Sequence, residues 1–339
     1  MNTFEKIELL SSLGDDIHNN LNSKEYNTVI EEAFEHNAWF TPDNVKIALT
    51  SIANNYLNKQ KLDYWLKDND SGVTDNIKKV GLTLAGNVPL VGLHDILCTF
   101  ITNNISQIKM SSKDNTLLPF LLKKLFIINK KSESYFQEVD KLEDFDAIIA
   151  TGSDNSARYF EYYFSNYPHI IRKNRNSVAI ITGEESPEQI RKLGKDIFLF
   201  FGLGCRNVSK ILVPEKYDFI FFLDNLSEYK YLSDHFKYSN NYNYRKSIYL
   251  LNEEPHYDNG FIVLKDEKGL DSPIGTLYYE EYKSEGDIEN FVKSNSNKIQ
   301  VVVSDKDHDF PVVPFGKSQE PELWDYADNI DTLYFLSKI

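Results

Sequence analysis

From residue 80 onward the chain alternates short apolar runs with longer stretches of helical spacing, and this rhythm constrains the fold more than any other feature. "VGLTLAG" (80–86) reads as a buried strand, "NVP" breaks it, and "LVGLHDILCTFITNN" has the spacing of a helix. "SQIKM" follows as a strand, and "SSKDNTLLPFLLKKLF" offers Ser112 or Asp114 as N-cap of the next helix. "FDAIIA" is a third strand running into the turn and helix of "TGSDNSARYFEYYF"; "NSVAIITG" is a fourth, followed by the helical "SPEQIRKLGKDIFLFF". After Cys205 the alternation resumes, with strands in "SKILVP", "GFIVLKD", "IGTLYYEEY" and "KIQVVVSD" and helices in "EKYDFIFFLDNL", "NYNYRKSIYLL" and "GDIENFVKS". Apolar strands separated by helices require right-handed crossovers and a mostly parallel sheet. The expectation is an α/β fold of two doubly wound units behind an N-terminal helical segment, residues 1–78, in which "KIELLSSL" and "EEAFEHNAWF" have helix-like spacing.

The chain of 339 residues is long enough for two cores, and 41% hydrophobic content with no low-complexity run fits a folded protein. A net charge of −14 argues against nucleic acid or an anionic membrane as partner, because phosphate backbones are bound mainly by Lys and Arg. A local basic cluster, Arg172, Lys173 and Arg175, stands in "IIRKNRNS". No secretory signal and no apolar stretch of about 18 residues is evident, so the expectation is a cytoplasmic protein with no membrane span and reduced thiols.

The two cysteines differ in setting. Cys98 lies on the apolar face of "LHDILCTFI", with no glycine or basic neighbour, and reads as core. Cys205, in "FFGLGCRNVSKILVP", follows Gly202 and Gly204, has Arg206 beside it and Lys210 near it, and stands where a helix gives way to a strand. A positive neighbourhood favours the thiolate, the form a nucleophile needs. Asn87, in "LAGNVPLVG", is either a turn residue or an amide aimed into the cleft at a strand's carboxyl end. Lys109, Ser112 and Lys113, in "KMSSKD", are either a solvated loop or donors to a phosphorylated ribose. Gly152 and Ser153 precede a helix, whose first N–H groups suit a phosphate. "GLGCRN" is no dinucleotide fingerprint, since it lacks the third glycine and follows a helix; no metal spacing is evident, and His256 and Asp258 in "EEPHYDNG" read as a polar turn.

Taken in order, these motifs resemble the aldehyde dehydrogenase superfamily. "LAGNVPLVG", "ATGSDNSARYFEYYF", "RKNRNSVAIITGEE" and "FFGLGCRNVSKILVP" are similar, more closely, to the acyl-CoA reductases related to the fatty-acid reductase of bacterial luminescence, over about residues 80–339. The resemblance implies an aldehyde-dehydrogenase-like fold: a dinucleotide-binding domain over 79–201, a catalytic domain over 202–310, and a C-terminal segment, 311–339, packing back on the first. It implies Cys205 as nucleophile and Asn87, with the Cys205 N–H, as oxyanion donors. It also implies Lys109 on the adenosine ribose and Gly152–Ser153 at the pyrophosphate.

Where NAD-preferring relatives carry a ribose-binding glutamate, this chain has Ser112 followed by Lys113, which favours NADPH over NADH as cofactor, with no metal. The segment that resembles the family's water-activating glutamate motif, "IRKNR" (171–175), has no carboxylate, so an acyl-enzyme would persist for hydride attack. The implied activity is reduction of an acyl thioester, acyl-CoA of long chain included, to an aldehyde. NAD(P)-dependent aldehyde oxidation and a non-catalytic acyl- or nucleotide-binding role are the alternatives. A synthetase that donates the acyl group and a homo-oligomer are open as partners. The chain is shorter than typical members, which puts the usual oligomerisation hairpin in doubt.

Overall fold

The computed structural model describes residues 1–67 and 77–339, and for Asp154 its backbone alone. The part of the expected helical segment at 68–76 lies outside the described residues. The chain forms two compact units, residues 1–174 with 320–339 and residues 175–319.

The first unit begins with helices α1 (Thr3–Asn20), α2 (Lys24–His36), α3 (Pro42–Asn55) and α4 (Lys59–Lys67). Its sheet then follows as β1 (Lys79–Thr83), α5 (Leu93–Ile101), β2 (Ile105–Lys109), α6 (Leu117–Ile128), β3 (Phe136–Glu138), β4 (Ala147–Thr151), α7 (Asp154–Phe164) and β5 (His169–Arg172). The strand order is β3-β2-β1-β4-β5, parallel throughout. The chain winds from β1 toward β3 and then returns to the other side for β4, so the topological switch point lies between β1 and β4.

The N-terminal helices are not a separate layer. Ile7, Leu10, Ile30, Leu49 and Trp65 share one continuous core with Val80 and Leu82 of β1 and Leu97 and Phe100 of α5. Lys6 is wholly buried, and its Nζ donates to Phe100 O (2.7 Å) and Asn103 Oδ1 (3.1 Å), satisfying the carbonyl end of α5. Burial lowers that ammonium's pKa to about 8. α6 starts at Leu117 behind Thr116, later than a cap at Ser112 or Asp114 would place it; the Asp114 carboxylate accepts the Leu90 N–H.

The second unit runs β6 (Asn176–Ile180), α8 (Pro187–Phe198), β7 (Val208–Pro214), α9 (Phe219–Asp224), α10 (Phe236–Leu251), β8 (Tyr257–Asp258), β9 (Val263–Asp266), β10 (Thr276–Tyr282), α11 (Glu285–Ser294) and β11 (Ile299–Val303). Its sheet has the order β11-β6-β7-β10-β9-β8, parallel except where β8 meets β9. The chain then returns to the first unit, where α12 (Thr332–Ser337) buries Leu333 and Leu336 in the core there.

The units divide at 174/175 and 319/320, not at 201/202 and 310/311. The reason is strand pairing: β6 lies between β7 and β11, so "NSVAI" and the helix behind it belong with the Cys205 segment. Among the described residues no helix is long and apolar enough to cross a membrane.

Candidate functional site

The carboxyl ends of β2, β1 and β4 are neighbours, and every candidate residue of the first unit stands on them. β1 ends at Thr83, in register with Lys109 at the end of β2, and the loop behind β1 carries Asn87. Neighbouring strands lie about 4.8 Å apart, so the three ends span about 10 Å. Lys109, Ser112 and Lys113 are exposed, and Asn87 is half-buried.

The two loops are locked together. A Cβ on Gly86 would sit 2.4 Å from Ser111 Oγ and 3.0 Å from Lys113 Cβ, so only glycine permits this approach. Asp114 Oδ2 accepts the Leu90 N–H at 2.8 Å, holding Leu90 in a left-handed conformation (φ 58°). Asp114 is buried, which raises its carboxyl to about 6.

Behind β4, the Gly152 N–H donates to Arg172 O (3.2 Å), and a Cβ on Gly152 would meet Ser156 Cβ at 2.8 Å. Ser153 is the N-cap of α7, its Oγ accepting the Ser156 N–H (3.3 Å). The helix therefore begins where the strand order switches, with bare backbone at Gly152. Such a start suits a pyrophosphate. Exposed Lys109 and Lys113 stand at the end of β2, on the far side of β1 from this turn, so the donor set along the three strand ends fits a phosphorylated dinucleotide.

The basic cluster of the sequence is not a free patch. Arg172 is buried and clamps Asp95 of α5 bidentately, Nη2 to Oδ1 at 2.8 Å and Nη1 to Oδ2 at 3.0 Å, and Nη2 also donates to Thr332 Oγ1 (3.0 Å). Lys173 pairs with Glu161 (2.7 Å). Arg175 belongs to the second unit, where its Nη1 donates to Ile299 O.

Cys205 lies in the second unit, on the turn between α8 and β7. The approach to it is strained: Phe200 (φ 54°), Phe201 (φ 58°) and Gly202 (φ 74°) are consecutively left-handed. For a side chain larger than glycine that conformation costs about 1–2 kcal/mol. It is retained because both phenylalanines are buried, with Phe201 packed on His235 at a ring separation of 4.3 Å.

Cys205 itself is half-buried, whereas Cys98 is wholly enclosed and its thiol pKa is pushed up by burial. The sequence reading of Lys210 as part of the thiol's positive surroundings does not hold. Its side chain is fully buried, with Nζ committed to Glu280 Oε2 (2.6 Å) and Glu267 O (2.7 Å), because position 210 points into the core of β7. Arg206 remains beside the cysteine, its Nε donating to Ser318 O at 2.5 Å.

Sequence reasoning missed the groups that hold this turn. Asn207 is 2% exposed and bonds both to the turn and to the end of α8. Asp196 of α8 accepts the Gly316 N–H (2.6 Å) and the Ser318 N–H (2.9 Å), and burial raises its carboxyl to about 6. The Asn of "GCRN" was available as a signal, since a polar residue opening an apolar strand needs partners. Ser304, His308 and Glu285 also form a hydrogen-bonded series (3.1 and 2.5 Å), but Ser304 and the His308 ring are buried and the serine oxygen accepts the Lys306 N–H, so the series fixes the exit of β11. Asp258 is held by Lys246 and Tyr242, and among the described residues no His/Cys/Asp/Glu group could hold a metal.

Two parallel sheets with the order and crossovers described define an aldehyde-dehydrogenase-like fold. Solved structures agree. An aldehyde dehydrogenase from Bacillus cereus, determined as an NAD+ complex, is similar at 14% identity, covering 90% of this chain and 72% of that one with a TM-score of 0.64. Lactaldehyde dehydrogenase from Escherichia coli is similar at 11% identity, 91% and 75% coverage and a TM-score of 0.63. HpcC from Thermus thermophilus is similar at 13% identity, 90% and 70% coverage and a TM-score of 0.63. The sequence pattern of one family matches residues 15–219, more than half of the chain, and the protein belongs to that family, the acyl-CoA reductases (LuxC). No curated protein sequence matches.

Proposed function

We propose that the protein reduces an acyl thioester, acyl-CoA, to an aldehyde through an acyl group carried on Cys205. One observation carries the reading: within the matched family region, Cys205 alone of the two cysteines is partly exposed, on a turn held from several sides. The Cys205 thiolate attacks the thioester carbonyl, the C–S bond to coenzyme A breaks, and the departing thiolate takes a proton from solvent. Asn87 and the Cys205 N–H are assigned to the oxyanion, where one such donor is typically worth about 10²–10³ in rate. NADPH, when bound, supplies hydride to the acyl carbon. Collapse then breaks the bond to Cys205 and releases aldehyde and free thiolate.

Lys109, Ser112 and Lys113 are assigned to the phosphorylated ribose, and Gly152 and Ser153 to the pyrophosphate. Ser112 in place of a carboxylate, followed by Lys113, supports NADPH over NADH. The absence of a carboxylate from 171–175, whose Arg172 is committed to Asp95, supports reduction over hydrolysis of the acyl-enzyme.

The test is incubation of wild type, Cys205→Ala and Cys98→Ala with acyl-CoA, read by intact mass, followed by aldehyde formation on adding NADPH. Cys205→Ala is expected to lose the acyl adduct and all turnover while binding NADPH within about twofold of wild type; Cys98→Ala keeps the adduct. An adduct that survives Cys205→Ala refutes the assignment.

A further inference from the structure

We infer that Asn207 is the positioning residue of the Cys205 thiol, a role that rests on the reading of Cys205 as the acyl-accepting nucleophile. The four residues Gly204–Asn207 form a turn closed by the Asn207 N–H on Gly204 O at 3.0 Å, with Cys205 and Arg206 at its corner. The Asn207 side chain closes the same turn a second time, Oδ1 accepting the Gly204 N–H at 2.8 Å. Its amide nitrogen faces the other way and donates to Leu199 O (2.8 Å) and Asp196 O (3.0 Å), with Ile197 O at 3.4 Å. These are carbonyls at the end of α8, where a helix leaves acceptors unsatisfied. One buried side chain thus ties the cysteine turn to the helix before it.

The other anchors act on one point each: Ser177 Oγ donates to Cys205 O (2.9 Å), and Arg206 Nε donates to Ser318 O. Only a primary amide of this length accepts at one atom and donates twice at the other. Aspartate would keep the bond to Gly204 but set a charge against the three carbonyls, and alanine would lose every side-chain bond. The strain at Phe200 and Phe201 makes the anchor matter. A left-handed run of three residues relaxes toward ordinary backbone unless its far end is fixed, and here that far end is the turn bearing the thiol. A shift of about 1 Å at a nucleophile can cost about 100-fold in rate.

The experiment compares wild type, Asn207→Ala and Asn207→Gln as full-length protein in three measurements: acyl transfer from acyl-CoA to Cys205, alkylation of Cys205 by iodoacetamide mapped by peptide mass, and NADPH affinity. Asn207→Ala is expected to lower acyl transfer and kcat about 100-fold, with alkylation within about fivefold of wild type and NADPH affinity and KM within about twofold. Asn207→Gln keeps donors and acceptor one methylene further out and recovers at least tenfold of that loss. Wild-type acyl transfer in Asn207→Ala overturns the inference, and so does a parallel fall in alkylation and acyl transfer, which marks general damage. If Asn207→Ala does not fold, Asn207→Gln decides: about tenfold slower acyl transfer with unchanged alkylation supports the role, and a wild-type rate overturns it. Failure of the underlying reading looks different, because the adduct would then persist in Cys205→Ala.

Discussion

Replacing Arg172 with methionine would remove the cation from a carboxylate that has no access to water. The side chains of Arg172 and Asp95 are 8% and 6% exposed, and a hydrogen bond of 3.0 Å and an ion-pair contact of 2.8 Å join them. An exposed pair would be worth about 0–1 kcal/mol. Here Asp95 would be left buried and unpaired, and Thr332 of α12 would lose its donor, so the expected loss is about 3–5 kcal/mol. Urea unfolding followed by tryptophan fluorescence reads the first unit alone, because Trp39, Trp65 and Trp324 all lie in it. With a slope of about 2 kcal/mol per molar urea, the midpoint should fall by about 2 M. The double variant Asp95→Leu with Arg172→Met removes both charges, and apolar replacement of a buried pair is often neutral or stabilising, so it should regain at least half of the lost midpoint. A single variant that loses under about 1 kcal/mol, or a double no better than the single, would refute the reasoning.

The pH dependence of the same unit depends on Asp114. Its folded pKa, about 6, is above the ordinary 3.8, so the native state holds the extra proton in that window and this group's contribution declines as pH rises from about 4 to 6. Asn at 114 keeps an acceptor for the Leu90 N–H without the titration. The stability of Asp114→Asn relative to wild type, from urea midpoints at pH 4, 5 and 7, should therefore rise with pH by up to about 3 kcal/mol; a flat difference contradicts the shift. Lys113→Glu should weaken NADPH about tenfold or more and NADH much less, by fluorescence titration; equal losses would remove Lys113 from the 2′-phosphate. Gly152→Ala places a Cβ 2.8 Å from Ser156 Cβ and should weaken both dinucleotides, with far-UV circular dichroism close to wild type. Unchanged binding would free that turn of its assignment.

Much of the architecture was legible. Strands buried on both faces must be apolar at nearly every position, so "AIIA" in β4 and "ILV" in β7 announced themselves, and "GDIENFVKS" matches α11. β3 and β5 escaped notice because three or four residues give no period to read, and "EKYDFIFFLDNL" shortened to the single six-residue α9. The candidates of the first unit were legible as residues, and strand order brought them together: "NVP", "KMSSKD" and "TGS" are far apart in the chain but end on adjacent strands.

Residue type and local spacing determined by themselves that this chain builds parallel sheets and which polar residues punctuate strand ends, since period and turn chemistry act over a few positions. Whether a charge is available was decided elsewhere. Lys210 read from its neighbours as part of the thiol's positive surroundings and Arg172 as part of a basic cluster, yet Glu280 and Asp95, 70 and 77 positions away in the chain, pair with them. Nothing in the neighbours of Asn207 singled out its partners, and only the return of the chain against the end of α8 gave its amide three carbonyls to face. Desolvation and pairing depend on what the fold brings from a distance, and no window of sequence contains that.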